Sequence, residues 1–334
     1  MNTEQNPIRT LARSPVPVAY FAIAVGLLAL AKAWSVAVEL WHLPQIVADM
    51  LTAVGAAAWL ATVVAYAHKW LFHRTEAQAE MQHPVQSSFS ALGPVSTLLA
   101  ATALLPYSRP VALALFAVAM IVQLALGLYL HGRFWQGGRK PELVTPAIYL
   151  PAVAQNFVAG TSAAAFGWPQ VGAWFFGAGL LSWLAIESLI LHRAAVHESL
   201  PPALRPSLGI QLAPPVVGGV TYLSLSNGVP DLFAQILLGY GLYQALVLLR
   251  LLPWIRQQPF TPAYWAFSFG VAALPTMAMR MVERGSSGPI EWLTPGLFIA
   301  ANLIIGTLAV KTLMLLLQGK LLPVAVAPVV ETAR

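Results

Sequence analysis

The chain has 334 residues, 58% hydrophobic and 9% charged, with no cysteine and a formal net charge of +6. Soluble domains average roughly 25% charged residues, so an ordinary water-soluble domain is excluded. The apolar content excludes disorder, and the lack of cysteine excludes disulfide scaffolds, thiolate metal sites and cysteine nucleophiles. What remains is a polytopic membrane protein.

A membrane helix needs about 20 mostly apolar residues to cross a hydrocarbon layer of about 30 Å. Ten windows meet this requirement, near 18–38, 48–68, 85–106, 110–131, 146–167, 171–191, 207–226, 231–250, 262–280 and 292–317. They are apolar throughout and do not alternate every second residue, which favours helices over barrel strands. The expected organisation is an all-α integral membrane protein. It comprises a cytoplasmic N-terminal tail (1–16), a ten-helix transmembrane domain (17–320) and a cytoplasmic C-terminal tail (321–334).

Orientation follows from lysine and arginine. With ten crossings the two termini share a side, and that side holds fourteen of the eighteen cationic residues. The other side keeps Lys32, Arg109, Arg280 and Arg284. Both termini are therefore expected in the cytoplasm. The basic balance reads as a topology signal; the charges are spread over short loops and do not form a nucleic-acid surface.

Helix breakers recur in the odd-numbered windows. The first carries Gly26, the third Gly93-Pro94, the fifth Pro151 and Gly160, the seventh Pro214-Pro215 and Gly218-Gly219, and the ninth Gly270 and Pro275. Steps of 57, 63 and 61 residues separate Pro94, Pro151, Pro214 and Pro275, one helical hairpin per step. An interior proline removes a backbone hydrogen bond, and the exposed polarity is tolerated in hydrocarbon only against protein or a watery cavity. A single proline can simply bend a helix for packing. Recurrence at one position points to an inner ring of broken helices lining a pathway, with the smooth helices facing lipid.

That path is expected to be uncharged. The stretches 18–31, 85–106, 146–168, 207–226 and 261–279 lack Asp, Glu, Lys, Arg and His. Small residues and hydroxyls (Ser87, Ser88, Thr97, Thr161 and Thr221 among them) would make the weak contacts that conduction requires. Glu187 is the one acid well inside a window, the sixth, and is expected to be paired structurally. Gln123, Gln155, Asn156, Gln211, Gln244 and Asn302 are expected to hydrogen-bond between helices. Enzymatic readings find no support. His192 and His197 lack the spacing of a zinc-protease helix, and no nucleophile elbow, phosphate loop or dinucleotide fingerprint is present. Neither a metal nor another cofactor is implied.

Several strings carry a family likeness: HPVQSSF (83–89), YLPAVAQNF (149–157), FFGAGLLSWLAIESLIL (175–191), LGIQLAPP (208–215), LLGYGLYQALVLLRLLPW (237–254), YWAFSFG (264–270) and QGKLL (318–322). In order and spacing they resemble the tellurite-resistance/dicarboxylate transporter family, which includes the slow-type anion channels of plant guard cells. The resemblance implies five helical hairpins around a quasi-fivefold central pore, a homotrimer with one pore per subunit, and passive conduction of small anions across a bacterial inner membrane. It also implies a pore gate, a phenylalanine on the ninth helix, which matches Phe269. Glu187 matches an acidic position of the sixth helix. Two family features differ here: Ala19-Tyr20-Phe21-Ala22 stands where Gly-Tyr-Phe-Gly is usual, and Ser188 stands where proline follows the acid. A second reading, from the family's name, is a coupled exporter of tellurite or C4-dicarboxylates; the uncharged path disfavours it.

Overall fold

The computed structural model describes residues 15–322. The expected tails therefore fall almost wholly outside the described residues, as do Arg9, Arg13 and Arg334, which contributed to the orientation count. Among the described residues the secondary structure is entirely helical. In chain order the α-helices are α1 Phe21–Trp41, α2 Gln45–Phe72, α3 Arg74–Gln82, α4 Gln86–Phe89, α5 Leu92–Leu104, α6 Arg109–Trp135, α7 Gln155–Ala165, α8 Pro169–Val196, α9 Ala213–Leu225, α10 Leu232–Ile255, α11 Ser268–Glu283 and α12 Pro289–Leu317. Nine helical stretches of the described residues are long and apolar enough to cross a membrane. The window expected at 146–167 is a continuous helical run that passes from 3-10 turns to a π segment and into α7, with the amides of Gln155 and Asn156 diluting its apolar character.

The breaker-rich segments share a way of starting. Pro17, Thr145, Pro201 and Thr261 are extended, as residues before or at such turns must be, and 3-10 turns follow at Val18–Tyr20, Pro146–Tyr149, Pro202–Leu212 and Pro262–Phe267. In the remaining case the short α4 and a turn at Ser90-Ala91 precede α5. This start relocates the prolines relative to the sequence expectation. Pro94 is the third residue of α5, Pro151 lies in the π segment Leu150–Ala154, and Pro214-Pro215 are the second and third residues of α9. Their missing N–H groups fall where a new α-helix would leave amides unpaired anyway. Of the four recurring prolines only Pro275 interrupts established α-helical turns, in α11. The smooth helices are also less clean than expected: Pro253 lies inside α10, and Pro295 lies inside α12 because that helix begins earlier, at Pro289.

Packing sorts the helices into two classes. α1 packs against α5, α5 against α7, α7 against α9, α9 against α11, and α11 against α1, so the five segments close on themselves. Each also packs against the long helix that follows it: α2, α6, α8, α10 and α12 respectively. The most apolar stretch of the segments containing α1, α5, α9 and α11 is 61% to 72% buried, against 11% to 33% for the five partner helices. The inner-and-outer division inferred from helix breakers is thus how the helices pack. Two latches close the N-terminal side of the ring. The Tyr20 hydroxyl donates to the Leu321 carbonyl at 2.5 Å, joining the first inner segment to the end of the last helix. The buried Lys69 ammonium lies 2.9 Å from Glu80, whose other oxygen accepts the Val18 amide at 2.9 Å.

Candidate functional site

The glycines expected along the inner helices sit at the joints between them. A Cβ on Gly26 of α1 would fall 2.3 Å from the Ser268 Oγ of α11. One on Gly270 of α11 would meet Leu212 at 2.8 Å, just before α9, and one on Gly218 of α9 would meet the Phe157 ring of α7 at 2.9 Å. Gly160 of α7 faces Thr221 of α9 and the Gly172 carbonyl of α8 in the same way, at 2.8 and 3.0 Å. Gly93 is roomier, with the Phe21 ring at 3.8 Å. Any larger side chain at the tight positions would push neighbouring inner helices apart, because helices associate in lipid through such close contacts.

The hydroxyls are likewise absorbed between helices. Thr161 donates to Thr221 at 2.9 Å, Thr221 reaches the Phe157 carbonyl at 2.9 Å, and Thr97 accepts the Trp59 indole N–H of α2 at 3.1 Å. Ser87, Ser88, Ser96, Ser162 and Thr221 are each no more than 3% exposed. Of the hydroxyls, Ser96, Thr97, Thr161 and Thr221 bond to backbone or to a neighbouring helix, which is where a buried hydroxyl is least costly. Of the amides, Asn302 bridges helices as expected, accepting the Trp34 indole N–H at 2.7 Å. Asn156 bonds to the Ala152 carbonyl of its own segment, and Gln244 to Tyr240 of its own helix. Gln123 Oε1, Gln155 Nε2 and Gln211 Oε1 find no partner among the described residues.

Glu187 of α8 accepts hydrogen bonds from three neutral donors. The Trp183 indole N–H lies at 3.0 Å and the Tyr240 hydroxyl of α10 at 3.0 Å, and the Tyr149 hydroxyl bonds the same carboxylate. Gln244 in turn donates to Tyr240 at 2.8 Å. The cluster fastens the third inner segment to two outer helices. The sequence pointed to the acid but not to its partners; Trp183, four residues earlier on the same helix face, was the readable signal.

Phe269 is the second residue of α11. On one side Ser268 abuts Gly26 of α1; on the other Gly270 abuts Leu212 at the start of α9. Ser268 and Gly270 are buried, whereas Phe269 between them is half-buried. Phe267, two residues earlier, is packed beneath Gly209, where a Cβ would come within 2.5 Å of its ring. Further along α11, Arg280 pairs with Glu39 of α1 and with Glu283, both at 2.7 Å. Lys32 lies within α1, which continues to Trp41 and stops at the left-handed His42 (φ 54).

A closed ring of five glycine-jointed segments, each backed by a smoother apolar helix, is the architecture onto which the comparisons fall. The sequence model described as voltage-dependent anion channel (SLAC1) matches residues 15–313. The chain belongs to this family. The tellurite resistance protein TehA homolog of Haemophilus influenzae is 35% identical over 95% of this chain and 96% of its own length. The S-type anion channel SLAH2 of Arabidopsis thaliana is 23% identical over 92% of this chain, and the guard cell S-type anion channel SLAC1 of the same plant 21% over 89%. The chain spans 60% and 55% of those two plant proteins. As a member of this family of anion channels and transporters, the protein is a multi-pass membrane protein.

Proposed function

We propose that the protein is a passive anion channel whose ten spans surround one central pathway of quasi-fivefold symmetry, occluded by Phe269. The observation that carries this reading is the setting of Phe269. Its two chain neighbours are consumed by contacts with α1 and α9, so the ring is directed between them, toward the space the inner helices enclose. Partial accessibility in a buried helix fits that direction. A benzene ring in a narrow apolar constriction stops hydrated ions by sterics and dewetting. Pro94, Pro151, Pro214, Pro215 and Pro275, with Gly26, Gly93, Gly160, Gly218 and Gly270, then shape the wall: the prolines at the starts of the inner helices and, for Pro275, within one, the glycines along the faces that let five helices close around a hole. Glu187 stands outside the wall as a structural clamp.

In this reading both termini are cytoplasmic, the protein lies in a bacterial inner membrane, and three copies assemble with one pathway each, surrounded by lipid. The permeant species are small inorganic anions. The test is electrophysiological: Phe269→Ala raises anion current in voltage-clamped oocytes or planar bilayers, and unchanged current removes Phe269 from the role. The name of the Haemophilus relative favours a second reading, a coupled exporter of tellurite or dicarboxylates. Reversal potentials decide between them. A channel's follow the anion gradient alone, whereas a coupled carrier's move with pH or a second ion.

A further inference from the structure

A lysine within an apolar helix is costly in hydrocarbon and is tolerated where water or an acid solvates it. Lys32 lies midway along α1, one of the most enclosed segments of the protein. Its neighbours Ala31 and Ala33 are 2% and 0% exposed, and Leu28, Ala29 and Val36, one turn away on its own face of α1, are 2%, 6% and 0% exposed, yet Lys32 itself is exposed. Accessibility inside a crowded surround marks a side chain lining an internal space, as opposed to one facing lipid. The four ion pairs of the described residues do not include it, and it makes no hydrogen bond among them.

The surrounding charges place this space at the end of the ring opposite Tyr20 and Lys69, the outward end in the channel reading. Arg280, Glu39 and Glu283 are the charged groups within electrostatic reach of Lys32. They form a compact cluster in which Arg280 is paired with two carboxylates, one more negative charge than positive. Lys32 lies six residues past Gly26, roughly 9 Å along α1, and Gly26 touches the residue next to Phe269. Arg280 lies eleven residues past Phe269, three turns onward on the same face of α11 and roughly 16 Å along its axis. The order along the path is therefore Phe269, then Lys32, then the Arg280 cluster. The two acids are partly open to solvent, with 51% and 32% of their side-chain surface exposed, so water and salt weaken their field. The unpaired cation is the deeper charge, and low-dielectric walls strengthen it.

We propose that Lys32 is the anion-attracting residue of an outward vestibule, a fixed ammonium just outside the Phe269 plug that concentrates small anions at the gate and repels cations. The inference rests on the channel reading above. It also explains how a path with no charge in its constriction can select for sign: the selection is made one step before the constriction.

The chain's lack of cysteine makes the experiment direct. Lys32→Cys is the single thiol in the protein, and an aminoethyl or a sulfonatoethyl methanethiosulfonate attaches a cation or an anion there. Both reagents, applied from outside to reconstituted vesicles, should modify the thiol, read as a mass gain; a thiol that neither reagent reaches overturns the vestibule. In a Phe269→Ala background, Lys32→Gln should lower anion current about two- to fivefold at low salt, with a smaller loss at high salt. It should also lower the anion-to-cation permeability ratio. Aminoethylation of Lys32→Cys in that background should restore the current, and sulfonatoethylation should depress it further. Normal current with either charge at position 32 refutes the role of Lys32 while leaving the channel reading intact. Absence of anion current in Phe269→Ala itself, with folded protein, refutes the channel reading and this inference with it.

Discussion

The inner and outer helices are built on opposite terms. An inner segment such as α11 opens with 3-10 turns, carries Gly270 and Pro275, and buries most of its surface against protein. An outer helix such as α12 runs smoothly for 29 residues and leaves Leu303, Val310 and Leu317 exposed at 66%, 52% and 79%. For glycine the facing surface decides: at Gly26 and Gly270, and at Gly172 and Gly241 where outer helices pack on inner ones, a Cβ has no room, whereas at Gly239 of α10 and Gly306 of α12 it would meet nothing within 4 Å. Composition alone does not distinguish these glycines. Lipid has no shape to match, so outer residues need only be apolar, while inner residues must fit one another.

The largest test of that contrast is conductance. Phe269→Ala is expected to raise anion current by at least about an order of magnitude, because the plug acts by excluding water and ions from a narrow gap. Leu303→Ala on the outer surface of α12 should leave current unchanged under the same clamp. An equal response from both would erase the functional distinction between the two classes.

Next in size is the latch at the N-terminal side of the ring. Lys69 and Glu80 are 5% and 8% exposed at their side chains, and removing one partner of a buried pair costs about 3–5 kcal/mol. Glu80→Ala should markedly lower the unfolding temperature in detergent. The paired change Lys69→Met with Glu80→Leu should recover much of the loss, since the uncompensated charge goes with it. A smaller effect separates the glycines. Gly26→Val overpacks the α1–α11 joint at about 1–3 kcal/mol, while Gly306→Ala should leave the unfolding temperature unchanged.

The smallest effect concerns pH at a loop outside the ring. The Tyr222 hydroxyl first, and the Ala234 amide second, hold the Asp231 carboxyl below its ordinary value as it caps α10. The folded state therefore favours the ionised form. The cap's contribution is present above the ordinary carboxylate range and fades as pH falls through the lowered value. Amide exchange at the first turn of α10 should quicken there in the wild type, relative to intrinsic rates. In Asp231→Asn the same ratio should stay flat.

Much of the fold was readable residue by residue. The breaker spacing from Pro94 to Pro275 marked the hairpin period, and the same breakers marked which helices pack inside. Only Pro275 of the recurring prolines lies well inside an α-helix, because the 3-10 and π starts of the inner segments have no signature in hydropathy. The partners of the hydroxyls were illegible for a related reason. A threonine such as Thr221 looks the same in sequence whether it faces water or the Phe157 carbonyl. Glu187 was legible as a buried acid needing partners, but Tyr149 and Tyr240 lie 38 and 53 residues away in the chain.

The sequence by itself determined that the chain lives in a membrane, crosses it as helices and alternates broken with smooth ones. Each of these follows from local quantities: the length of an apolar run, or the presence of a residue that cannot donate a hydrogen bond. Only the tertiary structure decided which glycines are joints, where the hydroxyls go, and that one lysine keeps its surface inside an otherwise closed bundle. Those outcomes depend on which side chain faces which across a gap of a few ångströms. Hydropathy cannot encode that direction, and only the closing of five helices on one another sets it.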